Sequence, residues 1–468
     1  MSTRGSPLAE VVLAGNSLAL VVAACMLGRR GRRVRWVTDA RKPGGYFAGL
    51  RVGEDAFDLG SVLLERPGPD GPQPDLQTYD PARRYDSARF SGLSWEFLES
   101  LLGTRRVPTA ECALNGRRCP DYLLSNRLDG FAGLNLAVPS AAAQAGVAHP
   151  WHASHKLAAG SYDSLDYADA ALHNHGRELH AALIEPFMRK LTGAASWPLM
   201  ARFHRTGWLP LYYPETIALA LAGQPVGLAE YPFWLPTEGW CGSLVEALLT
   251  EVEGYSCVQR VDSPIAQLDR HDGGFVLTLA NGEVLPASVL ALGVPNERAH
   301  GLLSLPAPLP MHAVGIRLLL LRVRAGSMLR PASCLMVPDA AFSAYRISDM
   351  DAMSGRDVPW HRVVIEASIG AGHAPFDAPV LDAQLQRELC QLLGIEDPAD
   401  VVQVRGLTVA QSLSLPSCQE VDMARVDLAR LHESARGVLL CGGLAGFGAT
   451  SLHDHIVQGL AMGQRLQG

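Results

Sequence analysis

Residues Glu10 to Gly31 read "EVVLAGNSLALVVAACMLGRRG", and few folds can use such a stretch. Val11 to Ala14 is a short continuous apolar run, the pattern of a strand buried on both faces. Gly15, Asn16 and Ser17 follow as a tight turn. Leu18 to Leu27 is apolar all round, as a helix packed inside an α/β core is. Val34 to Val37 then reads as a second strand. Strand, turn, helix and strand make a parallel β–α–β unit of ordinary length. The competing reading is a signal peptide or membrane anchor. Val11 to Leu27 is near the lower limit for spanning a bilayer, turn residues interrupt it and Glu10 precedes it. "GRRGRR" follows where a small-residue cleavage site would stand. No other segment is long and apolar enough to span, so a soluble, cytoplasmic protein is expected.

Composition supports a large core. The chain has 468 residues, 48% of them hydrophobic and 19% charged, which excludes global disorder. The formal charge of -7 offers no basic excess for a nucleic-acid partner. The nine cysteines are scattered without a Cys-x-x-Cys pair, so reduced thiols are expected and neither a disulfide framework nor a zinc site. His173 and His175 have no third ligand at a persuasive spacing, so no metal is expected. No Gly-x-Ser-x-Gly, Walker or His-Glu-x-x-His motif is present, which leaves hydrolase, kinase and zincin chemistry without support.

The turn after the first strand is where dinucleotide sites carry Gly-x-Gly-x-x-Gly. There the first glycine allows the turn, the second lets a pyrophosphate approach the backbone and the third lets helix and strand pack closely. Two alignments exist here. If Gly15 is first, Ser17 and Leu20 replace the others; if Ala14 is first, Asn16 and Ala19 do. The second is preferred, because Ala19 is small and Asn16 reaches positive φ more readily than most residues. In either case the helix N-terminus offers free N–H groups and a favourable dipole.

Further segments fall in a familiar order. Gly44-Gly45 follows the second strand, and "DAFDLGSVLLE" (Asp55 to Glu65) contains Phe57, Asp58, Gly60 and Ser61. With these the chain resembles the flavoprotein superfamily of amine oxidases, protoporphyrinogen oxidases, phytoene desaturases and UDP-galactopyranose mutases. In that superfamily an acidic residue ending the second strand binds the adenosine ribose. Register places Thr38 there, with Asp39 beside it. "PTEGWCGSLVEALL" (Pro236 to Leu249) resembles the family's Pro-x-Gly-Gly loop. Cys257 to Pro295, including Ile265, Ala291 and Gly293, resembles the stretch that reaches the adenine; its "DGG" and "NGE" turns read as hairpins. Gly437 to Leu466 resembles the closing strand, loop and helix, the helix reading "GA..SG..aA". Gly442, Gly443, Ser451, Leu452, Gly459 and Gly463 fall in this part, with Gly443 where an acidic residue is usual. Ser451 and Asp454 resemble a capping box.

The resemblance implies FAD as cofactor and an α/β fold: a Rossmann-like FAD-binding domain, a mixed α+β substrate domain and a helical insertion. The division it suggests is 1–80, 236–300 and 406–468 for the FAD-binding parts, 81–235 for the insertion and 301–405 for the substrate sheet and helix. The implied cofactor contacts are Ala14, Gly15, Asn16, Ser17, Ala19, Thr38, Asp39, Gly44, Gly45, Asp58, Gly60, Ser61, Ile265, Gly293, Gly442, Gly443, Ser451 and Leu452. On the substrate side, "RFHRTGWLPLYYPETI" (Arg202 to Ile217) and "EYPFWLPTEGW" gather arginines and aromatics. They suit either a cleft over a flavin or a cemented domain junction. Candidate catalytic residues are Arg205, Tyr212, Tyr213, His453 and His455, the histidines because they flank Asp454 where the last loop meets the flavin. The reading is an amine oxidase-like oxidoreductase passing hydride from a small organic substrate to flavin N5. The alternatives are an accessory protein with a weakened FAD site, as the missing acids suggest, and a UDP-sugar mutase-like flavoenzyme. A second copy or a partner subunit is an allowed partner.

Overall fold

The computed structural model describes residues 10–39, 43–65, 74–83, 86–119, 165–194, 198–211, 233–271, 273–370, 374–446 and 451–467. The opening run forms β1 (Val11–Gly15), α1 (Leu18–Arg29) and β2 (Val34–Thr38). Much later in the chain, α2 (Gly242–Glu253), β3 (Val258–Asp262) and β4 (Val289–Gly293) join this unit. The chain closes it with β5 (Val438–Leu440) and α3 (Leu452–Arg465). The strands form one parallel sheet in the order β3-β2-β1-β4-β5.

Side chains alternate across a strand, so β1 feeds two cores. Val11 and Leu13 pack with α1, α2 and α3. Val12 and Ala14 face a second layer, the antiparallel strands Ile265–His271, Gly274–Leu279 and Val284–Ala287. Both faces of the sheet are thus covered, which is why β1 is apolar at every position.

A larger mixed sheet has seven strands, in the order Val401–Ser414, Ala313–Arg324, Trp360–Ile369, Ala344–Asp349, Cys334–Met336, Glu111–Leu114 and Arg117–Cys119. Its faces also divide by alternation. Leu319, Leu321, Val363 and Ile365 pack under the helix Ala378–Leu393, which Asp377 caps and Gly394 ends in the left-handed conformation. Val314, Ile316, Leu318 and Val364 face the other core, with Phe187, Met188 and Leu191.

The inner face of this sheet carries charge. Arg346 and Glu366 lie opposite each other on adjacent strands and form a bidentate pair, at 2.7 and 2.9 Å. Arg362 pairs with Asp351 and donates to the carbonyls of Ala56, Glu238 and Gly239, joining the sheet to the segments around the first unit. Among the described residues no helix is long and apolar enough to cross a membrane and no metal-ligand cluster is found; Cys25, Cys112, Cys241, Cys257, Cys334, Cys390, Cys418 and Cys441 are free.

Candidate cofactor site

The site is built around the end of β1. Gly15 adopts φ +127°, and a Cβ there would lie 2.2 Å from the Gly293 carbonyl oxygen of β4. Only glycine fits, so Gly15 is the first glycine of the turn, which corrects the preferred alignment on Ala14. Ala14 is an ordinary fully buried strand residue. Ser17, in the second position, has φ −58° and ψ 138°, a conformation open to any residue, so glycine is dispensable there on backbone grounds.

Leu20, in the third position, is admitted by its neighbours. Its Cδ1 lies 2.9 Å from where a Cβ on Gly293 would be, so the space that the helix usually yields is yielded by β4. A second close approach lies behind α1: a Cβ on Gly459 of α3 would stand 2.5 Å from Val22 Cβ and 2.6 Å from the Ala19 carbonyl oxygen. Ala19 therefore lines a helix–helix contact. The glycines are redistributed to β4 and α3 while the close packing remains.

The first turn of α1 has no side-chain cap: Ser17 stands at its N-cap but makes no cap hydrogen bond. Its Oγ instead lies 3.5 Å from His455 Nδ1 of α3. The helices that begin at Ala378, Cys418 and Leu452 are each capped by a side chain. Uncapped amides behind a glycine turn are the arrangement that accepts an anion.

Other predicted residues gather at the same turn. Gly44, at φ +96°, donates its N–H to the Asn16 carbonyl at 2.8 Å, and Gly45 follows at φ +62°. Asp39 accepts from Asn16 Nδ2 at 2.5 Å and donates its own N–H to Asn16 Oδ1 at 3.3 Å. The acidic group thus stands at the turn from the position after Thr38. Thr38 is buried, its hydroxyl donating to Asp262 and accepting from Arg260 Nε at 3.4 Å, so it is committed to β3 and not to the turn.

Several expected contacts serve structural ends. Asp58 is buried and accepts from the N–H groups of Cys241 at 2.7 Å and Gly242 at 3.1 Å, so it caps α2. Burial lifts its pKa to about 7 against those two donors and Arg362. Gly60, at φ +105°, packs against the Arg346–Glu366 pair, and Ser61 lies beside the Cys334 thiol. Ile265 is buried and its carbonyl accepts from Arg298. Gly442, at φ +64°, donates to Gln458 Oε1 at 2.7 Å; Gly443 opens onto empty space.

The capping box on α3 is present. Ser451 Oγ accepts from Asp454 N at 3.1 Å, and Asp454 Oδ2 accepts from Ser451 N at 2.8 Å. Leu452 is buried beside it. The Asp454 carboxylate sits in the first turn and offsets the positive end of the helix. His453 is buried, with Nδ1 3.1 Å from Ser94 Oγ and Nε2 3.1 Å from the Ser87 carbonyl. Both ring nitrogens are occupied, which corrects its assignment to proton transfer. His455 faces the turn instead. It meets Ser17, packs edge-on against Phe47 with centroids 5.1 Å apart, and is held neutral by burial, its pKa lowered to about 4.

Tyr212 and Tyr213 lie outside the described residues, and Arg205 falls in the 3-10 helix Ala201–Gly207. The described aromatics act as junction cement: Trp234 meets Trp95 edge-on at 5.4 Å, and Trp208 stacks on Phe233 with the Arg346 guanidinium 5.1 Å from its ring. The sequence reading missed Trp36, whose indole N–H holds the Gly15 carbonyl at 3.1 Å, and Phe47. Trp36 sits in the "VRWV" strand as an ordinary apolar residue, so only the fold reveals its role.

No protein-family model matches the chain, and no curated protein is similar to it in sequence. Solved structures do share its fold. A proposed protoporphyrinogen oxidase of Exiguobacterium sp. 255-15 superposes with a TM-score of 0.64 at 17% identity, over 99% of each chain. Reduced UDP-galactopyranose mutase gives 0.64 at 14%, over 98% of this chain and 96% of its own. Cyclohexylamine oxidase of Brevibacterium oxydans IH-35A gives 0.56 at 14%, over 99% of this chain and 100% of its own. The chain thus shares the fold of these solved structures.

Proposed function

We propose that the chain is a FAD-dependent oxidoreductase of amine oxidase type, with the parallel sheet serving as a Rossmann-like cofactor domain. The observation that carries this reading is the uncapped first turn of α1 behind Gly15, faced by Asp39 and the Gly44-Gly45 loop. The residues fit such a group: uncapped amides for a diphosphate, a carboxylate at the end of β2 for ribose hydroxyls, and a passing glycine loop. When bound, FAD would supply a hydride acceptor for oxidation of a small organic substrate.

The protein's own tasks are then positional. Trp36 and Gly293 fix the turn, and Asp58 fixes α2 behind the Gly44 loop. His455 stands beside Ser17, with the Phe47 ring against it. The Arg346–Glu366 pair and the Trp208–Phe233 stack give the substrate side a rigid wall that excludes water.

A second reading, an accessory protein with a weakened site, draws on the Asn16–Asp39 bond and on Gly443 in place of an acid. One spectrum separates the two. Protein purified without added cofactor is expected to absorb at about 450 nm, or to acquire that band when given FAD. Colourless protein that stays so with excess FAD would end the catalytic reading.

A further inference from the structure

Of the two predicted catalytic histidines, His455 is the one that faces the first turn of α1, yet its surroundings suit anion binding better than proton transfer. It lies between α1 and α3, with Nδ1 3.5 Å from Ser17 Oγ, its ring against Phe47, and Cε1 3.7 Å from where a Cβ on Gly442 would be.

Resting on the flavin reading above, we propose that His455 meets the diphosphate of the dinucleotide as an imidazolium, so that binding takes up a proton. The groups around it leave that charge to the ligand. On its own helix, Asp454 is tied to Ser87 and Ser451. From α1 comes the Ser17 hydroxyl and from the Gly45–Ala48 turn the Phe47 ring, with Tyr46 against Phe47; the Cys441 thiol, which bonds to Ser17, is kept neutral by burial, its pKa raised to about 12.

Without ligand, burial favours the neutral ring, with a pKa near 4. A negative charge about 5 Å away, at an effective dielectric of about 20, raises a neighbouring pKa by about two. The two charges of a diphosphate are enough to carry the pKa of His455 from its lowered value into the range of neutral pH, where the ring takes up a proton. The sign follows from linkage. The bound state holds one more proton between the free and bound pKa values, so affinity rises as pH falls through the bound value, by at most about tenfold per pH unit.

The test is FAD affinity of the full chain, by quenching of flavin fluorescence from about pH 8 to about pH 5.5, with calorimetry in buffers of differing ionisation enthalpy to count protons. Wild type is expected to bind about 10- to 100-fold more tightly at the acid end, with net proton uptake. His455→Gln keeps a polar side chain of similar reach but cannot ionise. It is expected to bind FAD with a flat pH profile and no uptake. Wild-type binding that ignores pH, or a His455→Gln variant that keeps the slope, overturns the role of His455 and leaves the flavin reading standing. Failure of wild type to bind FAD at any pH overturns that reading itself.

Discussion

At the scale of single residues, Asp58 shows how a motif that resembles a cofactor segment can act through a helix. Its carboxylate replaces the missing side-chain cap of α2 by accepting from Cys241 and Gly242. Asp58→Ala leaves two buried amides unpartnered, and a loss of about 1–3 kcal/mol in unfolding free energy is expected by guanidinium titration. The pH dependence has a definite sign. The folded pKa, about 7, lies above the ordinary 3.8, so the native state holds this proton more tightly than the unfolded chain. That stability is complete below about pH 4 and is lost as pH rises through about 7. Asp58→Asn, which cannot ionise, is expected to flatten this part of the pH–stability curve; an unchanged slope would show that Asp58 ionises as freely in the fold as outside it.

Among the elements, α1 and α3 approach so closely that the sign of an ordinary substitution reverses. Glycine to alanine inside a helix normally stabilises by about 1 kcal/mol. At Gly459 the new methyl would stand 2.5 Å from Val22 Cβ and 2.6 Å from a backbone oxygen, neither of which can rotate away. Overpacking of this kind costs about 1–3 kcal/mol, so Gly459→Ala is expected to lower the urea midpoint, and a rise would show that the helices can separate freely. The same contact explains what could be read from sequence. The β1–α1–β2 unit, the Ser451–Asp454 box and the order of the glycine segments were legible, because apolar periodicity and caps are local. The choice between Ala14 and Gly15 was not, because it turns on the Gly293 carbonyl, far along the chain. Thr38 and Asp39 could be separated only once the pairing of Thr38 with Asp262 was known.

Across the whole molecule, a buried guanidinium ties the seven-stranded sheet to segments that pack beside the parallel one. Arg362 reaches from the inner face of the larger sheet to Asp351, whose side chain is 1% exposed, and to the carbonyls of Ala56, Glu238 and Gly239. Those carbonyls flank Asp58 and the start of α2, so the same residue that balances a buried carboxylate also positions the segment behind the Gly44 loop. Removing one partner of a buried pair costs up to about 3–5 kcal/mol, whereas removing both together is often close to neutral; here Asp351 would keep only the half-exposed Arg356, 3.4 Å away. Arg362→Met alone is therefore expected to lower the unfolding midpoint strongly. Arg362→Met with Asp351→Asn should recover much of the loss in a double-mutant cycle, because the orphaned charge is gone. If Arg362 also holds the two sheets as one cooperative unit, the double variant should unfold in a broader transition than wild type even where its stability is regained, since the three carbonyl contacts stay broken. A sharp, wild-type-like transition in the double variant would mean that the aromatic contacts of Trp95, Trp208, Phe233 and Trp234 couple the sheets without Arg362.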